Sequence, residues 1–260
     1  MFGSWWHSPI LEQIRNWIRT RHGSCVSSGV TKNTSFLSAA PLQNTIASAM
    51  LLYYITDRRA FSETEMQQRA AVLRRIEEAA CAGVDWIQVR EKDLSSRELE
   101  RLAGEAVHRV RENSASTKLL INGRADVALA CGADGVHLPA GEIAASELRS
   151  LWMRRQASPP LIGVSAHTTA DVHNAKAAGA DFVVVAPIFE KVQTGTPGIG
   201  LEALRAACME SGDRLAVLAL GGITVCNARS CIEAGAAGVA GIRLFQQGDV
   251  REKVRQLRAP

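Results

Sequence analysis

Four times the chain ends a helical stretch in a small-residue turn and passes at once into a short β-rich run. The turns are Ala82-Gly83-Val84-Asp85-Trp86, Cys131-Gly132-Ala133-Asp134-Gly135, Ala178-Gly179-Ala180-Asp181-Phe182 and Ala234-Gly235-Ala236-Ala237-Gly238. Glycine suits the left-handed position that closes a helix. The turns recur at roughly 50-residue intervals, about two β/α units each if a unit needs 25–30 residues. Four double units make eight. Strands alternating with helices pair in parallel through right-handed crossovers. The repeat therefore predicts an α/β chain closed into a (β/α)8 TIM barrel, a single domain over residues 50–260, with an open doubly wound sheet as the alternative.

The expected strands are Leu51–Asp57, Trp86–Glu91, Lys118–Asn122, Gly135–Leu138, Leu161–Ser165, Phe182–Ile188, Leu215–Leu220 and Gly238–Ile242. Between them, Glu65–Ala82 and Ser95–Asn113 carry a helical period, and Ser95 with Glu98 forms a capping-box pattern. A 47% apolar content supplies a sizeable core, yet no run approaches the roughly 18 apolar residues of a membrane span. A net charge of +4 is too mild to argue for nucleic acid. The expected partners are small molecules, with neither nucleic acid nor membrane, and a homo-oligomer is compatible with this reading. Six cysteines show no CxxC pair and no metal-type spacing. Cys81, Cys131 and Cys231 fall in Ala/Gly-rich helix ends and read as reduced core cysteines of an intracellular, cytoplasmic protein.

Residues 1–49 differ from the rest, with Glu12 as their one acidic residue and Ile10, Leu11, Ile14, Trp17 and Ile18 on one helical face. Such an acid-poor amphipathic start superficially resembles a transit peptide. The favoured expectation is a start assigned too far upstream, because Met50 directly precedes the first good strand.

In a barrel of this kind, chemistry sits where strands run into the loops that follow them. Gln88, Arg90 and Lys92 alternate along the end of the second strand and so share one face. Buried charges need partners, so three inward polar groups mark a place for an anion. Further strand ends add Asn122, His137, Ser165 and His167. A lone strand-end histidine is more often a structural hydrogen-bonder, whereas convergence on one rim argues for a site. His108 and His173, in helical stretches, and His7 and His22, in the leader, are given no role. Gly221-Gly222 and Ala240-Gly241-Ile242-Arg243 offer backbone N–H groups where this fold cradles phosphate, and Arg243 suits a phosphate fork. The loop 190–200 is long, polar and glycine-rich, a candidate mobile lid.

Tyr54-Ile55-Thr56-Asp57, Gln88-Val89-Arg90-Glu91-Lys92, Ile121-Asn122, Gly135-Val136-His137-Leu138, Gly163-Val164-Ser165-Ala166-His167 and Gly221-Gly222-Ile223 together resemble the thiamine phosphate synthase/TenI family. The resemblance implies a TIM barrel acting on thiamine precursors. A synthase of this kind joins hydroxymethylpyrimidine diphosphate to a thiazole phosphate and releases diphosphate. It implies that Gln88, Arg90, Lys92 and Asn122 hold the pyrimidine diphosphate, with Ser165 beside it. Gly222, Gly241 and Ile242 would take the thiazole phosphate.

It also implies magnesium, with Glu142 near the family's second metal aspartate, although the first aspartate position is Gly123 here. The family's diphosphate clamp is rearranged to Lys191-Val192-Gln193-Thr194, and Arg243 replaces a small polar residue. The family's other branch, metal-free thiazole tautomerases, would use His167 as a proton carrier. A barrel that only binds thiazole phosphate is the third reading.

Overall fold

The computed structural model describes residues 50–61, 64–190 and 195–259. Its strands are β1 Leu51–Ile55, β2 Trp86–Val89, β3 Lys118–Asn122, β4 Gly135–Leu138, β5 Leu161–Ala166, β6 Phe182–Val185, β7 Ala216–Ala219 and β8 Gly238–Gly241. Every neighbouring pair is parallel, and β8 pairs with β1 through Leu51↔Gly238 to Tyr54↔Gly241, so the sheet is a closed eight-stranded barrel. The helices that return the chain are α1 Glu65–Cys81, α2 Ser96–Asn113, α3 Ala125–Cys131, α4 Ala145–Trp152, α5 Thr169–Ala177, α6 Gly200–Ser211 and α7 Val225–Glu233. The one-turn α8 Arg243–Gln246 and α9 Val250–Arg258 complete the ring. The open-sheet alternative is excluded by the β8–β1 ladder.

The expected strands are all present, but β1, β2, β6, β7 and β8 stop one to three residues before their expected C-terminal ends. The reason is physical. Beyond Val89, for example, polar Arg90 to Lys92 leave the ladder and turn toward the mouth of the barrel. Ser95 caps α2, accepting from Glu98 N while the Glu98 carboxylate receives the Ser95 N–H.

The repeat has a function at the end where strands begin. Asp85 Oδ2 accepts the backbone N–H of Leu52 at 2.7 Å, Asp134 Oδ2 that of Leu119 at 2.9 Å, and Asp181 Oδ2 that of Ile162 at 2.7 Å. In each case the carboxylate reaches back to the strand before its own and ties the two together. Each also meets a cation: Arg258 with Asp85, Lys118 with Asp134 and Arg149 with Asp181. The fourth turn carries Ala237, which has no carboxylate, and there the Ala237 backbone N–H bonds to Val217 O.

Inside the barrel, Tyr53, Trp86, His137 and Phe182 pack ring against ring, with Trp86 and Phe182 centroids 4.5 Å apart. Gly163 makes room for this layer, since a Cβ there would lie 2.1 Å from Phe182 Cζ. The outward faces of the strands pack on the helices through residues such as Leu52, Ile87, Ile121, Val183 and Val239.

One expectation is corrected. Of the three helix-end cysteines, only Cys231 is buried in the core; Cys81 is exposed and Cys131 half-buried, because helix ends at this face meet solvent. Among the described residues no two cysteines form a disulfide with each other, and no helix is long and apolar enough to cross a membrane. The expectations for residues 1–49, including Cys25, His7 and His22, and for Lys191–Thr194 lie outside the described residues.

Candidate active site

A cavity of about 710 Å³ opens at the C-terminal end of the strands, within the size range of small-molecule sites. Gln88, Arg90, Lys92, Asn122, Ser165, His167, Gly222, Gly241, Ile242 and Arg243 all line it. The structure thus brings together every expected site residue except Glu142. That residue is exposed in the turn after Pro139-Ala140 and is not part of the lining.

Why Arg90 faces inward can be read from its neighbours. Thr56, at the end of β1, accepts the Arg90 backbone N–H at 3.0 Å and donates its hydroxyl to Glu91 Oε1. Glu91, buried on the other side of the chain, also accepts from the Arg58 backbone and guanidinium. Arg58 is itself buried and forks onto Asp93 and Glu65. Burial pushes the Glu91 carboxyl up from its ordinary range against the pull of these donors. With Glu91 pinned outward, alternation leaves Gln88, Arg90 and Lys92 toward the cavity. Sequence reasoning missed this brace. The signal available was a polar Thr56-Asp57 pair ending an otherwise apolar strand.

Gln88 is fully buried and donates from Nε2 to Asn122 Oδ1 at 2.9 Å, which leaves the Asn122 amide N–H groups for a ligand. The side chains of Arg90, Lys92 and Arg243 have no hydrogen bond or ion pair to any described residue. Three cations in a concave, partly apolar space focus a positive field. Asp57 is the one carboxylate in the described lining, and its backbone exchanges two hydrogen bonds with the Gln246 side chain.

On the other wall, Gly222 adopts φ +63°, and a Cβ there would come within 2.7 Å of Phe189 Cβ and Glu190 O. A side chain is excluded on both counts, so backbone is what this wall presents. Beside it, the first amides of α8 lack partners within their own turn. Gly222, Gly241, Ile242 and the Arg243 guanidinium line this wall together, a donor set suited to an anion.

His137 and His167 differ sharply. His137 is buried in the cavity floor, with Nδ1 3.2 Å from the Tyr53 hydroxyl and Nε2 3.0 Å from Ser165 Oγ. Burial, then the charge of Arg90, push its pKa down to about 3, so it is a neutral ring at neutral pH. His167 is exposed at the rim. Its Nδ1 donates to the Ala186 carbonyl at 2.8 Å, which leaves Nε2 toward solvent and ligand. Its backbone N–H and that of Thr168 go to Asp171, whose carboxyl they hold below the usual range. The unassigned His108 and His173 are surface partners of Glu112 and Glu210.

The described lining offers magnesium one carboxylate, Asp57, too few for a site held by the protein alone. Such an ion wants oxygen ligands, usually with carboxylates. Among the described residues no group of three or more His, Cys, Asp or Glu could hold a metal, and Glu142 lies outside the lining.

Fold and site together define a TIM barrel built to bind phosphorylated small molecules at its strand ends. The thiamine monophosphate synthase family matches residues 52–245, and the chain belongs to that family. It is 37% identical over 216 residues to a thiamine-phosphate synthase of Methanoculleus marisnigri, covering 80% of this chain and 93% of the relative. It is 39% identical over 184 residues to one of Methanoregula boonei, covering 69% and 81%. The solved thiamine phosphate pyrophosphorylase of Pyrococcus furiosus superposes with a TM-score of 0.66 at 30% identity, covering 80% of this chain and 94% of that one.

Proposed function

We propose that this chain is a thiamine phosphate synthase that joins hydroxymethylpyrimidine diphosphate to thiazole phosphate. The observation that carries the reading is the pairing of two anion sites in one cavity: Arg90 and Lys92 with Gln88 and Asn122 on one wall, the glycine cradle with Arg243 on the other. A reaction between two phosphorylated substrates needs both.

In this reading the benzylic-type C–O bond of the pyrimidine breaks, and its electron pair leaves with diphosphate. Arg90 and Lys92 stabilise the charge that develops on the departing oxygens. The thiazole nitrogen then supplies the electron pair of the new C–N bond. Gly222, Gly241, Ile242 and Arg243 hold the thiazole phosphate so that this nitrogen is aligned. Gln88 and Asn122 act as a coupled amide pair on the pyrimidine side, with Ser165 beside them. No step is routed through magnesium, for which the described lining offers too few carboxylates.

A specific observation favours a second reading. His167 stands at the rim with Nδ1–H fixed on a carbonyl and Nε2 free, the arrangement a metal-free thiazole tautomerase would use to move a proton. One experiment separates the two. The full chain is incubated with both substrates, with magnesium or with a chelator, and thiamine phosphate is measured. Product formation supports the synthase, and its magnesium dependence tests the ion expected from the resemblance. Thiazole isomerisation without coupling would replace the synthase by the tautomerase. Residues 50–260 are proposed to carry the whole activity, with residues 1–49 dispensable for it.

A further inference from the structure

From below the cavity into its lining a hydrogen-bonded chain runs Tyr53–His137–Ser165, and its polarity can be worked out by accounting for donors. Tyr53 is completely buried, and His137 Nδ1, 3.2 Å away, is the partner its hydroxyl has among the described residues. A buried hydroxyl that does not donate leaves a costly orphan proton. If His137 carried its proton on Nδ1, that proton would point at the phenol oxygen and the phenol proton would have nowhere to go. The satisfied arrangement therefore has Tyr53 donating to Nδ1, which puts the imidazole proton on Nε2. Nε2–H then donates to Ser165 Oγ, 3.0 Å away. With its oxygen already accepting, the Ser165 hydroxyl turns its own proton away from His137. Ser165 lines the cavity, where that proton is available to a ligand acceptor.

We propose that Tyr53 is a positioning residue that fixes the Nε2–H tautomer of His137 and thereby makes Ser165 a standing hydrogen-bond donor into the cavity. The surroundings agree. The rings of Trp86 and Phe182 wall in Tyr53, which is completely buried and outside the cavity lining, so water does not replace His137 as the partner of its hydroxyl. The neutral ring required here is also the state that burial and the nearby Arg90 impose on His137. Because Tyr53 lies below the floor, it acts without touching substrate. On the synthase reading, Ser165 meets an acceptor atom of the pyrimidine diphosphate; the tautomer itself does not depend on that reading.

The test uses the full chain labelled with ¹⁵N-histidine and a long-range ¹H–¹⁵N correlation, with His137→Gln identifying the signal. The expected result at neutral pH is a neutral ring protonated on Nε2. Tyr53→Phe is expected to admit the Nδ1–H form. It should also lower kcat about tenfold, the equivalent of one hydrogen bond, with KM for both substrates changed less than about twofold. Ser165→Ala is expected to keep the wild-type tautomer while losing a similar factor in kcat. A wild-type ring protonated on Nδ1, or doubly protonated, overturns the proposal. So does a Tyr53→Phe protein that folds and keeps a pure Nε2–H ring. Should Tyr53→Phe not fold, the wild-type tautomer and Ser165→Ala decide. A wild type without synthase turnover would remove the functional reading and leave the tautomer measurement standing.

Discussion

At the end of the barrel where strands begin, Asp85, Asp134 and Asp181 each hold a neighbouring strand's N–H and each has a cation beside it. At the end where strands finish, Arg90, Lys92 and Arg243 line a cavity, and among the described residues no carboxylate pairs with any of them. Apart from the exposed Lys92, both ends carry charge at half-buried positions, so the difference lies in what completes each charge. Below, the fold supplies the counterion, and the pair serves strand registration. Above, the fold withholds it, and the ligand must supply it. Unpaired cations repel one another and destabilise the folded state slightly, which is the usual cost of a site held ready for an anion.

The comparison breaks most visibly at Arg90. Arg90→Ala should lower kcat/KM roughly 10³-fold, as expected for a lost transition-state donor. The melting temperature should not fall, because no internal partner is lost. Calorimetry showing unchanged affinity for the pyrimidine diphosphate would refute its role, and a large drop in melting temperature would place Arg90 among the structural charges instead.

The mirror-image experiment is Asp181→Ala at the lower end. It orphans the Ile162 N–H and leaves Arg149 without its carboxylate. Stability should fall by about 2–4 kcal/mol in a denaturant titration, with KM for both substrates unchanged. A variant as stable as wild type would mean that the repeat's aspartates are ornamental. Asp181 is the better choice over Asp134, being the more buried of the two.

Those two ends were not equally legible in the sequence. The glycine turns and their spacing fix the number of β/α units, because helix termination and strand entry are local events. The cationic trio was legible for a similar reason, since alternation on one strand needs no knowledge of the rest. What stayed hidden depends on distant residues meeting. The reach of Asp85 to Leu52 ties β2 to β1 where they begin, and the brace of Thr56, Arg58 and Glu91 joins the same two strands where they finish. Tyr53 read as an ordinary apolar strand residue, because nothing local shows that His137 lies across the barrel from it. Glu142 failed as a cavity residue for the opposite reason: a motif position gives a place in the chain, but the turn after Pro139 decides where the side chain stands.

Arg243 offers a smaller effect and a sharper distinction within the upper end. It flanks the glycine cradle, so its removal should weaken one substrate and spare the other. Arg243→Ser should reduce thiazole phosphate affinity by about 1.5–3 kcal/mol, the value of a charged hydrogen bond. Affinity for the pyrimidine diphosphate should change far less. An unaltered thiazole phosphate dissociation constant would exclude the guanidinium from the phosphate site, and equal losses for both ligands would reduce it to a general contributor to the field.

The mildest perturbation is pH, and it probes where the two regimes meet. His137 lies in the floor of the cationic cavity, surrounded by Tyr53, Phe182, Ser165 and the field of Arg90. Its folded pKa is depressed to about 3, first by burial and then by Arg90, against about 6.5 in an unfolded chain. Above pH 6.5 both states hold a neutral ring, and its contribution to stability does not vary with pH. As pH falls below 6.5 the unfolded chain takes up a proton that the folded one refuses, so stability drops until about pH 3, where the folded ring protonates too. At pH 5 this amounts to ~2 kcal/mol lost relative to pH 7. Denaturant titrations at the two pH values should show that loss in wild type and less of it in His137→Gln, the carboxylates being common to both. Arg90→Ala should recover a minor part, since burial is the larger cause. Identical pH slopes in wild type and His137→Gln would mean that the ring is solvated and charged in the folded protein, and the neutral floor beneath the cations would have to be abandoned.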